Sequence, residues 1–158
     1  CPSMIEIERK FLVVSENYKK NILSKHNIRQ GYLCVEPKRS VRIRIIDKKG
    51  YITIKGNSSK DGLSRFEWEK EICKTDAEEL IALCKSNIIE KTRFLIQYKN
   101  NIFEVDEFHA NNTGLIIAEI ELNSKNQFFE KPAWLGKEVT GEKKYYNSQL
   151  IQTPYSKW

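Results

Sequence analysis

The chain has 158 residues, 40% of them hydrophobic and 30% charged, which is the length and make-up of one globular domain. Three Trp, seven Tyr and seven Phe exclude a disordered tail, and no apolar run approaches the ~18 residues that span a bilayer. Lys and Arg number 27 against 21 Asp and Glu, a formal charge of +6 that permits an anionic partner without naming one.

The dominant signal is alternation with a period of two, the mark of strands with two unlike faces. Ile5, Ile7 and Phe11 alternate with Glu6, Glu8 and Lys10 in the first segment. Residues 28–35, 41–45 and 51–55 follow as strands, the last two joined through the turn residues Asp47-Lys48-Lys49-Gly50. Residues 56–62 read as a loop and 63–74 as a long strand. Thr75 or Asp76 can cap a helix that runs to about Cys84, with Glu78 and Glu79 in its first turn. Residues 88–98 and 102–108 form a hairpin, and 115–122 is the last clear strand. Residues 126–139 read as irregular or partly helical, and 142–151 as a final helix that Thr140 could cap. This gives eight strands and few helices, a mainly β (α+β) chain built as a barrel or a sandwich.

Several classes fall away. The longest basic runs are pairs such as Lys19-Lys20, interleaved with acidic residues, so no nucleic-acid stripe is expected. Glu6 and Glu8 occupy the place of a signal peptide's apolar core, which points to a cytoplasmic protein with no membrane partner. None of the four Cys forms a CxxC pair or has His at ligand spacing, so no structural zinc is expected. Cys73 and Cys84 lie in apolar segments and read as small core residues. Cys1-Pro2-Ser3 before Met4 reads as a vector-derived leftover, which leaves residues 4–158 as a single domain.

One face of nearly every strand is apolar, and the other carries both signs of charge. The ordinary arrangement is a core face and a wet face. The inverse is also open: helices and loops cover the apolar face, and the charged faces line a lumen. The charged parity holds Lys10, Arg42, Arg44, Lys55, Arg65, Lys91 and Arg93. It also holds Glu6, Glu8, Glu67, Glu69, Asp106, Glu119 and Glu121. Glu6/Glu8, Glu67/Glu69 and Glu119/Glu121 repeat one spacing. Carboxylates at i and i+2 on a strand point the same way, roughly 6.5–7 Å apart, and can share a hard cation. Arg42/Arg44 repeats that geometry with the opposite charge, a fork suited to phosphate oxygens.

The opening ExExK of Glu6-Ile7-Glu8-Arg9-Lys10 resembles the N-terminal signature of the CYTH proteins, the triphosphate tunnel metalloenzymes. Val41-Arg42-Ile43-Arg44, Thr53-Ile54-Lys55-Gly56, Glu90-Lys91-Thr92-Arg93, Glu104-Val105-Asp106 and Ala118-Glu119-Ile120-Glu121 follow in family order. The residues after Val139-Thr140-Gly141 resemble the C-terminal end of the short bacterial, tripolyphosphatase-like branch.

The resemblance implies a closed eight-stranded antiparallel barrel around a charged tunnel, flanked by a few helices and closed at one end by a C-terminal plug helix. It implies Mg²⁺ or Mn²⁺ and a linear triphosphate: tripolyphosphate, split to pyrophosphate and phosphate, or a nucleoside triphosphate. Lys10, Arg42, Arg44, Lys55, Arg65 and Arg93 are then the substrate-binding candidates. Lys144, where relatives usually carry Arg, is a weaker one. Glu6, Glu8, Glu119 and Glu121 are candidate metal ligands, with Glu67, Glu69 and Asp106 as supporting acids. Lys91 and Tyr32 match the positions assigned to water activation. Competing readings are a class IV adenylate cyclase, a thiamine triphosphatase and a polyphosphate-binding module without turnover. A homodimer is an open option.

Overall fold

In the computed structural model, which describes residues 5–36 and 38–158, the alternating segments form antiparallel strands. They are β1 (Ile5–Val13), β2 (Ile22–Glu36), β3 (Arg39–Ile46), β4 (Lys49–Ser58), β5 (Ser64–Ile72), β6 (Ile88–Tyr98), β7 (Asn101–Phe108), β8 (Ile116–Glu121) and β9 (Leu135–Glu138). The order β5-β4-β3-β2-β6-β7-β8-β1 closes on itself through β1–β5, where Ile5, Glu6 and Ile7 face Phe66, Arg65 and Ser64. The expected eight-stranded barrel is therefore present. The ninth strand lies outside that ring and lengthens the seam beside β1 through Phe11↔Glu138 and Val13↔Leu135.

The barrel wears its grease outside. Phe11, Phe94, Ile96, Phe103, Val105, Ala118 and Ile120 point outward from four strands and form one buried cluster. Tyr18 of the 3₁₀ turn Glu16–Asn21 covers them, together with Phe129 and Trp134 from the segment before β9. Phe103 is fully buried and meets Trp134 and Phe129 edge-on at 5.4 and 6.1 Å. A second outer cluster packs Ile43 and Ile45 of β3 under Ala77 and Ile81 of α1 (Lys74–Leu83). The opposite parity of each strand faces the interior.

The interior has a greasy end of its own. From the residue before β8 onward, the inward positions run Leu115, Ile117, Glu119, Glu121. Leu115 and Ile117 join Ile89 and Phe108 in a cluster with Val139, Tyr145 and Leu150 from the C-terminal segment. That segment closes the apolar end, as the plug expectation required, but not as one helix. It is a 3₁₀ turn (Lys143–Tyr145), an extended Tyr146 at φ −71° and ψ 137°, and the one-turn helix α2 (Asn147–Leu150). A continuous helix could not bury Tyr145 and also turn Tyr146 toward Lys10, whose ammonium lies 5.1 Å from the Tyr146 ring centroid.

Five other expectations change. Thr140 caps no helix: its hydroxyl accepts from the Lys10 N–H at 2.9 Å and donates to Glu138 at 2.7 Å. Cys73 is exposed, and it rather than Thr75 or Asp76 caps α1, its sulfur accepting from the Asp76 N–H; only Cys84 of the pair is buried. Part of the segment read as irregular forms β9. Strand β2 begins at Ile22, because β6 supplies it a partner as far as Ile96. The reading of Cys1-Pro2-Ser3 falls outside the described residues.

Gly62 and Gly141 meet where the β4–β5 connection crosses the C-terminal segment. Both have left-handed φ, +76° and +79°, and a Cβ on Gly62 would come within 2.5 Å of the Gly141 Cα. Only glycine permits that backbone crossing.

Phe103→Ala should lower the unfolding free energy by about 3–5 kcal/mol, the usual cost of emptying a buried aromatic site. Denaturant unfolding monitored by Trp fluorescence measures it.

Candidate active site

Strand parity puts ionic side chains from seven strands into one cavity of about 440 Å³. Strand β3 contributes Arg42 and Arg44 because the register Arg42↔Thr53 and Arg42↔Tyr32 turns both neighbours the same way. Lys55 comes from β4 and faces Glu67 across the β4–β5 ladder. Glu6, Glu8 and Lys10 share one face of β1, opposite Arg65 on one side and Glu121 and Glu119 on the other. The ion pairs are Lys55–Glu6 at 3.2 Å, Arg44–Glu69 at 3.3 Å, and Arg42–Glu69 and Lys10–Glu119 at 3.8 Å. Arg93 holds Asp106 with two parallel bonds of 2.8 and 2.9 Å and also pairs with Glu104.

These pairs do not use up the cations. The Nε atoms of Arg42 and Arg44 are buried and have no hydrogen-bond partner among the described residues. Leaving a buried donor unpaired is costly, about 1–3 kcal/mol or more for a charged group. Burial, then Arg42 and Arg93, lower the Arg44 guanidinium to about 10. Two like charges in one low-dielectric wall need an anion.

The carboxylates show the mirror image. Burial, the Glu67 hydrogen bond and acidic neighbours hold the Glu6 pKa at about 7 against the pull of Lys55. Burial and then Glu119 push Glu8 well above the ordinary carboxylate range. Burial and Glu6 raise Glu121. Glu119 goes the other way: burial opposes ionisation, but Lys10 and Arg93 outweigh it and bring the group to about 2.

Among the described residues, no three carboxylate, His or Cys side chains already converge at coordination distance. The donor set nevertheless fits a hard divalent cation. It is all oxygen, Glu6, Glu8 and Glu121 carry excess proton affinity that a cation would relieve, and Mg²⁺-type ions commonly take one or two carboxylates plus substrate oxygens.

The cavity brings together the predicted Lys10, Arg42, Arg44, Lys55, Arg65, Arg93 and Tyr32. It also gathers Glu6, Glu8, Glu67, Glu69, Glu119 and Glu121. Arg65 is partly spent, since its Nε donates to the Gly56 carbonyl at 2.6 Å. Lys91 and Asp106 sit behind the cavity wall with side chains 0% and 2% exposed, paired at 2.8 Å. Burial lowers the Lys91 ammonium to about 8 even though Asp106 pulls it up. Lys144 does not join them. It is exposed and rests over the Trp158 ring at 4.6 Å.

Sequence reasoning missed Ser40, Glu104, Thr140, Tyr146, Asn147 and Ser148, which also line the cavity. Glu104 and Ser40 were recoverable, because they share the parity of Asp106 and Arg42. The C-terminal residues carry no periodic signal and arrive through tertiary packing.

A model of the CYTH domain matches residues 4–154. The chain belongs to the CYTH family. An inorganic triphosphatase of Acetivibrio thermocellus is 46% identical over 95% of each chain. Another, of Nitrosomonas europaea, is 36% identical over 93% of this chain and 97% of its own. The solved structure of the inorganic triphosphatase NE1496 superposes with a TM-score of 0.68 at 32% identity, covering 92% of this chain and 93% of that one. For this CYTH chain, membership implies a divalent metal and a triphosphate substrate. Among the described residues, no helix is long and apolar enough to cross a membrane.

Raised carboxyl pKa values make a signed prediction. A carboxyl that holds its proton more tightly when folded favours the folded state at low pH and loses that benefit as pH rises. For Glu6 the window runs from 4.5 to about 7. Without metal, Tm should fall across it, Glu6→Gln should flatten the fall, and Mg²⁺ or Mn²⁺ should raise Tm more at pH 8 than at pH 5. Scanning fluorimetry reads all three. The depressed Glu119 acts in a separate window, with stability lost as pH falls from 4.5 toward about 2.

Proposed function

We propose that this protein hydrolyses inorganic tripolyphosphate to pyrophosphate and phosphate within the barrel. The observation that carries the reading is the buried Arg42/Arg44 pair, with both Nε donors unpartnered, opposite a carboxylate wall in one cavity. The two named relatives at 46% and 36% identity support it.

Arg42, Arg44, Lys55, Lys10 and Arg93 come from β3, β4, β1 and β6, so they surround a chain of phosphates rather than a single one. Planar guanidiniums supply forked donors, and the lysines supply point charges. Phosphoryl transfer needs little more from a protein than positioning and charge stabilisation. Glu6, Glu8, Glu119 and Glu121 would hold Mg²⁺ or Mn²⁺, which when bound offsets phosphate charge and polarises the scissile phosphoryl group. Glu69 and Asp106 aim cations. Glu69 accepts from Thr53 at 2.7 Å while pairing with both Arg42 and Arg44, and Asp106 grips Arg93 by two bonds. Tyr32 lies on the cavity wall, and its hydroxyl accepts from the Gln30 amide at 3.5 Å, which leaves its own proton free to orient a water. Water attack on a terminal phosphorus forms one P–O bond, breaks the bridging P–O bond and releases a proton to solvent.

Phosphate release from tripolyphosphate in Mg²⁺ or Mn²⁺ tests this. Arg42→Ala and Glu8→Gln should each lower kcat/KM at least ~100-fold, a loss of about 2.7 kcal/mol of transition-state stabilisation. Faster conversion of ATP to cyclic AMP than hydrolysis of tripolyphosphate would make the protein a cyclase. Tight binding with no phosphate released under either metal would make it a binding module.

A further inference from the structure

The C-terminal segment does more than stop the barrel's end. Asn147, at the start of α2, reaches the buried Lys91: the Lys91 ammonium donates to its Oδ1 at 3.5 Å. An asparagine amide offers an acceptor at Oδ1 and two donors at Nδ2, so it has two possible orientations. Here chemistry decides the orientation. An ammonium has donors only, so it can face the amide oxygen and not the amide nitrogen. Lys91 is itself fixed. Its side chain is fully buried, Asp106 holds it at 2.8 Å, and the Phe108 ring lies 5.4 Å away.

With Oδ1 pinned toward Lys91, the NH₂ end of Asn147 must point away from it. Asn147 lines the cavity, and among the described residues no protein acceptor takes its Nδ2. The cavity's cationic donors Lys10, Arg42, Arg44, Lys55 and Arg93 are each paired with a carboxylate, whereas the Asn147 amide is a neutral donor. We propose that Asn147 is a substrate-binding residue, whose Nδ2 donates to an oxygen of the bound phosphate chain, and that Lys91 is the positioning residue that fixes the amide in that orientation. This rests on the triphosphatase reading and names two residues of the same site. Lys91 thereby has a role that needs neither solvent access nor loss of its proton.

Asn147→Asp and Asn147→Ala separate a donor from a mere anchor. Aspartate accepts from Lys91 at least as well as asparagine, so an anchoring role predicts that Asn147→Asp behaves like wild type and Asn147→Ala is impaired. A donor role predicts the opposite order, because aspartate turns a second acceptor with negative charge toward the phosphate. We expect KM for tripolyphosphate to rise about 5–10-fold in Asn147→Ala, the loss of one hydrogen bond to a charged group. It should rise further in Asn147→Asp, while Tm of Asn147→Asp stays at or above that of wild type. Lys91→Met should raise KM as Asn147→Ala does, and combining the two should add little further loss. Calorimetric binding of tripolyphosphate with Mg²⁺ gives the same order without turnover. If wild type neither binds nor splits tripolyphosphate, the triphosphatase reading fails. If wild type does both and Asn147→Asp binds tripolyphosphate as tightly as wild type, or more tightly than Asn147→Ala does, the proposal for Asn147 is overturned.

Discussion

The barrel depends on opposite charges neutralising one another out of bulk water. Isolated ions in such a place would cost several kcal/mol each, so they survive only when paired. Lys10, Arg42, Arg44, Lys55, Lys91 and Arg93 therefore each have a carboxylate within reach, and Asp106 serves two at once, Lys91 and Arg93. The pairing is incomplete by design of the fold. Cations crowd on β3 and carboxylates on β1 and β8, so the lumen's charges come close to balance as a whole while each wall keeps an excess. Arg44 pushed down and Glu6 pushed up are the two signs of that excess. A bound anion and a bound cation would each relieve one wall, which is why a polyanion and a divalent metal belong together here.

An inside-out distribution of polarity imposes a second requirement. The ion-filled part of the lumen supplies little hydrophobic stability, so that term must come from the apolar end of the interior and, above all, from outside the sheet. The chain meets this with covering segments. Tyr18, Phe129 and Trp134 close one outer face, and α1 closes another. These coverings have no catalytic chemistry of their own. They are what allows the strands to turn their charged faces inward.

Strand parity made much of this legible. Once Ile5, Ile7 and Phe11 are placed on one face, Glu6, Glu8 and Lys10 must share the other, and the same step works for Arg42/Arg44 and Glu119/Glu121. Parity alone could not say which face was inside, because an ordinary sheet shows the same alternation. The CYTH resemblance supplied that choice, and the outer aromatic cluster bears it out. The plug residues were opaque for a different reason. Tyr146 and Asn147 sit in a short irregular stretch whose conformation is set by burial of Tyr145 and by the Lys10 and Lys91 ammoniums, contacts more than 50 residues away in sequence. Lys144 illustrates the reverse error. A basic residue in the right neighbourhood of the sequence points outward, because its neighbour Tyr145 takes the inward position.

The position of Lys91 shows how the two ends of the lumen are joined. It lies on β6 between Ile89, which belongs to the apolar cluster, and Arg93, which belongs to the ionic cavity. A fully buried ammonium at that boundary must satisfy its donors on both sides. It uses Asp106 toward the cavity and Asn147 of the plug, with the face of Phe108 nearby. A hydrophobic residue there would pack well with Ile89 and Phe108, but it would leave Asp106 with one partner fewer and Asn147 with none to fix its amide. The charge costs desolvation energy, and what it returns is orientation: it sets the carboxylate that grips Arg93 and the amide that faces the cavity. Lysine's place in this fold thus follows from the need to register the plug against the strands that carry the cavity's cations.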